Sequence, residues 1–123
     1  MKILLVDDDA FLRDMYATKF RELNYVINVA ETVEMAVTKL QEEAYDVVLS
    51  DMVMPGASGV DLVRRIKEEK LGGAPVCIIL SNQSEEHDKQ SALAAGAAGY
   101  IVKAELIPSE VVEEVQKLVG ATK

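Results

Sequence analysis

Five side chains stand directly after short apolar runs: Asp7 and Asp8 after the first, Asp51 after the third, Ser81 at the end of the fourth and Lys103 after the fifth. Their types fit one kind of chemistry. Carboxylates brought together repel, and a like-charged cluster raises one or more pKa values unless a cation sits among them. Oxygen donors with no histidine or cysteine nearby favour Mg²⁺, or Mn²⁺, over zinc. Magnesium is commonly held by one or two carboxylates plus a phosphate oxygen, so the set asks for an incoming phosphoryl group. The Lys103 ammonium and the Ser81 hydroxyl would add donors for its oxygens. A carboxylate can also act as nucleophile and form an acyl phosphate. Asp51, alone at the end of its run, is the natural acceptor.

This chemistry requires elements that bring distant residues to one edge. The runs Ile3-Leu4-Leu5-Val6, Val47-Val48-Leu49, Val76-Cys77-Ile78-Ile79-Leu80 and Tyr100-Ile101-Val102 are short and almost wholly apolar, as in strands buried on both faces. Val26, Ile27 and Val29 form a weaker run, broken by Asn28, which predicts an edge strand. The other four look more central. Between the runs lie stripes at helical spacing. Phe11, Leu12, Met15, Tyr16, Phe20 and Leu23 mark the first, with Asn24 as its stop. Val33, Ala36, Val37 and Leu40 mark the second, after Thr32. Val60, Val63 and Ile66 mark the third, capped by Ser58. Ser84 is expected to cap a fourth, and Pro108 to open a fifth carrying Val111, Val112, Val115, Leu118 and Val119. Five strand–helix units of this kind predict an α/β domain, a parallel sheet with helices on both faces. In such sheets ligands bind beyond the carboxyl ends of the strands, which is where the five polar residues fall.

The chain has 123 residues, half of them hydrophobic and 28% charged, about one domain's length. The predicted domain is 1–123 with its core at about 2–119. Thirteen basic and 21 acidic side chains leave a net charge of −8, which argues against direct nucleic-acid binding or an anionic membrane surface. One cysteine and one histidine exclude an internal disulfide framework and a two-histidine metal site within the chain. No apolar run approaches a membrane span, and the N-terminal stretch is too short for a signal peptide, so a cytoplasmic location is expected.

Leu5-Val6-Asp7-Asp8-Asp9, Asp51-Met52-Val53-Met54-Pro55 with Gly59 four positions on, Ser81 after its apolar run, and Gly99-Tyr100-Ile101-Val102-Lys103 occur in an order and at separations that resemble the receiver domains of two-component response regulators. The resemblance covers essentially the whole chain. It implies a flavodoxin-like (βα)5 fold with strand order 2-1-3-4-5. It implies that Asp51 takes a phosphoryl group from the phosphohistidine of a sensor kinase or histidine phosphotransfer protein. Asp8, Asp51 and the backbone carbonyl of Val53 would ligate Mg²⁺, with Asp7 reaching the ion through water. Lys103 would pair with Asp51, then with the phosphoryl group. Ser81 would move toward that group and Tyr100 would turn inward, repacking the face made by the fourth helix, fifth strand and fifth helix, which an unidentified downstream protein reads. Such a protein is a signalling phosphoacceptor that catalyses only its own phosphorylation and dephosphorylation, not a turnover enzyme.

Lys103 is followed by Ala104, where the family usually has a cis proline. Either a trans bond with a rearranged loop or a cis bond at about 2.5–4 kcal/mol is expected there. Val53 and Gln83, two residues beyond Asp51 and Ser81, would flank the phosphoryl group, and an apolar Val53 predicts slow self-hydrolysis. Alternative readings are a haloacid-dehalogenase-type phosphatase with Asp7 as nucleophile, whose Asp-x-Asp-x-Thr/Val motif fails at Phe11, and a docking module that needs no phosphorylation. A flavin or nucleotide carrier would need a glycine-rich phosphate loop, which is absent. Met52 and Met54 are expected to plug the core, Cys77 to be an inert buried thiol and His87 to be exposed.

Overall fold

The apolar runs pair into one parallel sheet: β1 (Lys2–Val6), β2 (Val26–Ala30), β3 (Val47–Ser50), β4 (Val76–Ser81) and β5 (Gly99–Val102), in the order 2-1-3-4-5. The computed structural model describes residues 1–82 and 85–121. Alternate side chains leave each strand on opposite faces. Leu4, Val6, Val48 and Ile79 pack beneath α2 (Val33–Glu42), α3 (Gly59–Glu69) and α4 (Glu86–Ala95). Ile3, Leu5, Leu49 and Ile78 pack on the other side beneath α1 (Ala10–Glu22) and α5 (Pro108–Ala121). Both faces of the central strands are therefore dry, and each fully buried Leu or Ile contributes about 1.5–3 kcal/mol.

Local signals account for where the helices begin. The Asp9, Thr32 and Ser58 side chains accept from the Leu12, Met35 and Asp61 amides. The Asp61 carboxylate returns a bond to the Ser58 amide, closing a capping box. Pro108 opens α5 as expected. Ser84, expected as the cap of α4, lies outside the described residues, and Glu85, which precedes that helix, makes no side-chain capping bond. Asn24 follows the end of α1 at φ 65°.

Two expectations change. β5 is an edge strand, not a central one. It reads as buried because helices cover both of its faces, with Ile101 and Val102 at 3% and 8% exposure, although one hydrogen-bonding edge is open. The connection after β3 is not a plain loop either. Val53–Met54 and Ala57–Ser58 form a short antiparallel pair, turned by Gly56 at φ +83°. Met52 and Met54 plug the core beneath it, Cys77 is buried and His87 is exposed.

Candidate functional site

Strand pairing sets the rim. The Asp51 amide donates to the Val6 carbonyl at 2.8 Å, and the Asp7 amide to the Ala30 carbonyl at 3.1 Å. Asp7 and Asp51 thus extend neighbouring strands at the point where the strand order reverses. One carboxylate oxygen each from Asp7, Asp8 and Asp51 falls within 4.8 Å of the others. Asp7 is buried, Asp51 half-buried and Asp8 exposed. Lys103 arrives from the end of β5, its Nζ 2.8 Å from Asp7 Oδ2 and 3.5 Å from Asp51 Oδ2.

The contacts divide the labour. Both Asp7 oxygens are bonded, Oδ1 accepting from the Asp9 amide at 2.9 Å and Oδ2 from Lys103. Asp51 Oδ1 accepts from the Met52 amide at 2.8 Å, which sets the plane of that carboxylate. Burial is the main influence on Asp51 and pushes its pKa up. The neighbouring Asp7 charge adds to this, while Lys103 and the Met52 amide oppose it. For Lys103, burial pulls the pKa down, but the bond to Asp7 and the charges of Asp51 and Asp7 outweigh it and leave the ammonium above its usual range. Three clustered carboxylates with one lysine between two of them remain electrostatically short of positive charge. Hard oxygen donors at this spacing fit a small divalent cation.

Ser81, 1% exposed, ends β4 beside Val102, the residue before Lys103. On the neighbouring strand, Tyr100 pairs with Ile79, two residues before Ser81, and feels the Ser81 side chain. The Tyr100 pKa is raised, first by burial, with the Ser81 side chain opposing. Val53 projects a side chain that is 59% exposed. Gln83 lies outside the described residues. The described chain has no cis peptide, so the bond to Ala104 is trans and runs into a single 3-10 turn, Lys103–Glu105. A groove of about 560 Å³ between α1 and α5 contains none of these residues.

Three supporting roles escape sequence reasoning. Ser50, fully buried, donates its hydroxyl to the Asp51 carbonyl at 2.9 Å. Gly59 belongs to the Asp51 motif, but its spacing does not show that a β-carbon there would overlap that same carbonyl. Arg13 donates from Nη1 to the Asp7 carbonyl at 2.9 Å. A polar residue inside an apolar run was the available signal for Ser50, whereas Arg13 looks like any exposed helix cation.

The family model for the response regulator receiver domain matches residues 3–116. The chain belongs to that family. This receiver is 38% identical over 117 residues to the transcriptional regulatory protein ResD of Bacillus subtilis, covering 95% of this chain and 47% of ResD. It is 30% identical to the phosphate regulon transcriptional regulatory protein PhoB of Escherichia coli, covering 94% of this chain and 50% of PhoB. The chain thus spans about half the length of these curated relatives. Among solved structures, the chemotaxis protein CheY4 of Vibrio cholerae superposes with a TM-score of 0.88 at 26% identity, covering 95% of this chain and 97% of that one. The flavodoxin-like fold and the receiver assignment expected from the motifs both hold. No helix among the described residues is long and apolar enough to cross a membrane.

Proposed function

We propose that this receiver takes a phosphoryl group onto Asp51 from a phosphohistidine of a sensor histidine kinase or histidine phosphotransfer protein, in a Mg²⁺-dependent reaction. The convergence of Asp7, Asp8, Asp51 and Lys103 on one rim carries the reading. An Asp51 carboxylate oxygen forms the new bond to phosphorus as the phosphorus–nitrogen bond breaks, and the imidazole leaves with the electron pair and regains a proton elsewhere. Mg²⁺, held by Asp8, Asp51 and the Val53 carbonyl with Asp7 acting through water, would supply positive charge against the phosphoryl oxygens. Lys103 adds a second positive charge and stays ionised at neutral pH. Asp7 holds that ammonium in place before transfer.

Ser81 and Tyr100 carry the consequence outward. The Ser81 side chain influences the Tyr100 hydroxyl from the neighbouring strand, so a turn of Ser81 toward a phosphoryl oxygen would change the surroundings of Tyr100. Tyr100 lies on β5, so that change repacks the α4-β5-α5 face for a downstream protein. In this reading the receiver, residues 1–123, catalyses only its own phosphorylation and dephosphorylation. It acts in the cytoplasm and contacts partners by protein surfaces alone.

A phosphatase using Asp7 as nucleophile is disfavoured, because both oxygens of that carboxylate are engaged and the residue is 1% exposed. Intact mass after incubation with acetyl phosphate and Mg²⁺ tests the proposal. Wild type is expected to gain one phosphoryl group and Asp51→Ala none. No gain in wild type would leave the docking module, and loss of the gain in Asp7→Asn with retention in Asp51→Asn would restore the phosphatase.

A further inference from the structure

We infer that Arg13 is a positioning residue for the metal-facing carboxylate of Asp8, an inference that rests on the receiver reading of the site. Asp8 makes no side-chain hydrogen bond or ion pair among the described residues. Its backbone is therefore what sets the point from which the carboxylate reaches the site, the direction of its β-carbon. The peptide that decides the aim joins Asp7 to Asp8, and the carbonyl of that peptide is the one Arg13 Nη1 holds at 2.9 Å. Fixing this carbonyl fixes ψ of Asp7 and φ of Asp8 together, and with them the direction of the Asp8 β-carbon.

Arg13 is itself held from the far side. Its Nη2 lies 3.6 Å from Glu31 Oε1, and its side chain is only 11% exposed. Its backbone amide donates to the Asp9 carbonyl at 2.9 Å, seating the residue one turn into α1. The guanidinium thus spans from the end of β1 to the segment after β2. The arrangement leaves Arg13 Nε buried with no hydrogen-bond partner. An orphaned buried donor is destabilising and calls for a reason. A rigid fork that must reach the Asp7 carbonyl and Glu31 at once supplies one, since the plane of the guanidinium dictates where Nε points.

Partners that orient metal ligands influence affinity strongly when removed. The test is Mg²⁺ titration followed by NMR shifts of the Asp8 amide, with no phosphodonor present. Arg13→Met is expected to bind Mg²⁺ about tenfold more weakly than wild type. Arg13→Lys, which keeps the charge and one donor, should fall between them. Glu31→Gln, at an exposed position, should shift affinity the same way by roughly twofold. A folded Arg13→Met with wild-type Mg²⁺ affinity overturns the inference. So does an Arg13→Met that fails to fold together with a Glu31→Gln of unchanged affinity. The acetyl phosphate experiment on wild type separates the two layers. Phosphorylation of wild type with unchanged metal affinity in the variants removes only the role of Arg13, while a wild type that neither binds Mg²⁺ nor gains mass removes the receiver chemistry and that role with it.

Discussion

Lys103 gives its shorter ion pair to Asp7, at 2.8 Å, and stands 3.5 Å from Asp51. The lysine is thus shared between the two carboxylates, with the more buried one holding it more tightly. Removing one partner of a buried pair leaves the other charge uncompensated, at about 3–5 kcal/mol. Asp7 keeps the Asp9 amide, which places Lys103→Met at the lower end, about 3 kcal/mol. Asp7→Asn/Lys103→Met removes both charges and should recover more than half of that loss. Urea unfolding of the two single variants and the double variant measures the coupling. Simple additivity would show that the ion pair contributes nothing.

Burial of the Asp51 carboxylate costs the fold stability near neutral pH. Its folded-state pKa lies above its ordinary value of 3.8, chiefly through burial. Between those two values the folded form holds more protons than the unfolded one. Stability therefore falls as pH climbs from 3.8 through the raised value, and the loss is complete above it. Asp51→Asn should unfold at a higher temperature than wild type at pH 7, with the advantage shrinking toward pH 4. Lys103 has the opposite sense at the other end of the scale. Its contribution is intact below 10.5 and is lost as pH rises through its elevated folded value. Thermal melts between pH 4 and pH 11 check both limbs. An Asp51→Asn that melts below wild type at pH 7 would contradict the first.

The strands and the rim were readable because strands buried on both faces must be continuously apolar, so Asp7, Asp51, Ser81 and Lys103 stand out as abrupt polar ends. The edge position of β5 was not readable by pattern, because Ile101 and Val102 report burial by helices, not the number of neighbouring strands. Asn28 suggested a weak strand, and it serves as a donor to the Tyr45 hydroxyl at 2.8 Å. The roles of Ser50, Gly59 and Arg13 are contacts with the backbone carbonyl of Asp51 or Asp7, and the direction a carbonyl points is set by the folded backbone and not by residue type or spacing.

Gly59 gives that lesson a sharp test. The α3 N-terminus closes on the site through the Gly59 amide, which donates to the Met52 carbonyl at 2.8 Å. A β-carbon there would overlap the Asp51 carbonyl and stand 3.0 Å from Ile79 Cδ1. That carbonyl cannot yield freely while Ser50 holds it and β3 pairing holds its residue. Gly59→Ala should lower stability by about 2 kcal/mol, the overlap outweighing the better helix propensity of alanine. It should also slow phosphorylation by acetyl phosphate. Gly120, in α5, has nothing within 4 Å of the same added atom. Gly120→Ala should instead stabilise by about 0.5–1 kcal/mol, with the phosphorylation rate unchanged. Equal effects of the two substitutions on stability would show that the close approach at Asp51 carries no weight.

Val53 is expected to lengthen the lifetime of the phosphorylated state. It lies two residues beyond Asp51, and its side chain is 59% exposed and wholly apolar. Hydrolysis of an acyl phosphate needs a water held in line with the bond to Asp51, and a valine offers no donor or acceptor to hold it. Val53→Asn would add one such group at an exposed position, where it leaves the core of Met52 and Met54 untouched. One hydrogen bond of about 1 kcal/mol in the transition state is roughly a fivefold rate increase. Decay of the phosphorylated protein, followed by intact mass after the phosphodonor is removed, should therefore be slow in wild type and about fivefold faster in Val53→Asn. The forward rate should change little, because the imidazole leaving group needs no such water. Equal decay in the two proteins would show that water is positioned from elsewhere on the rim.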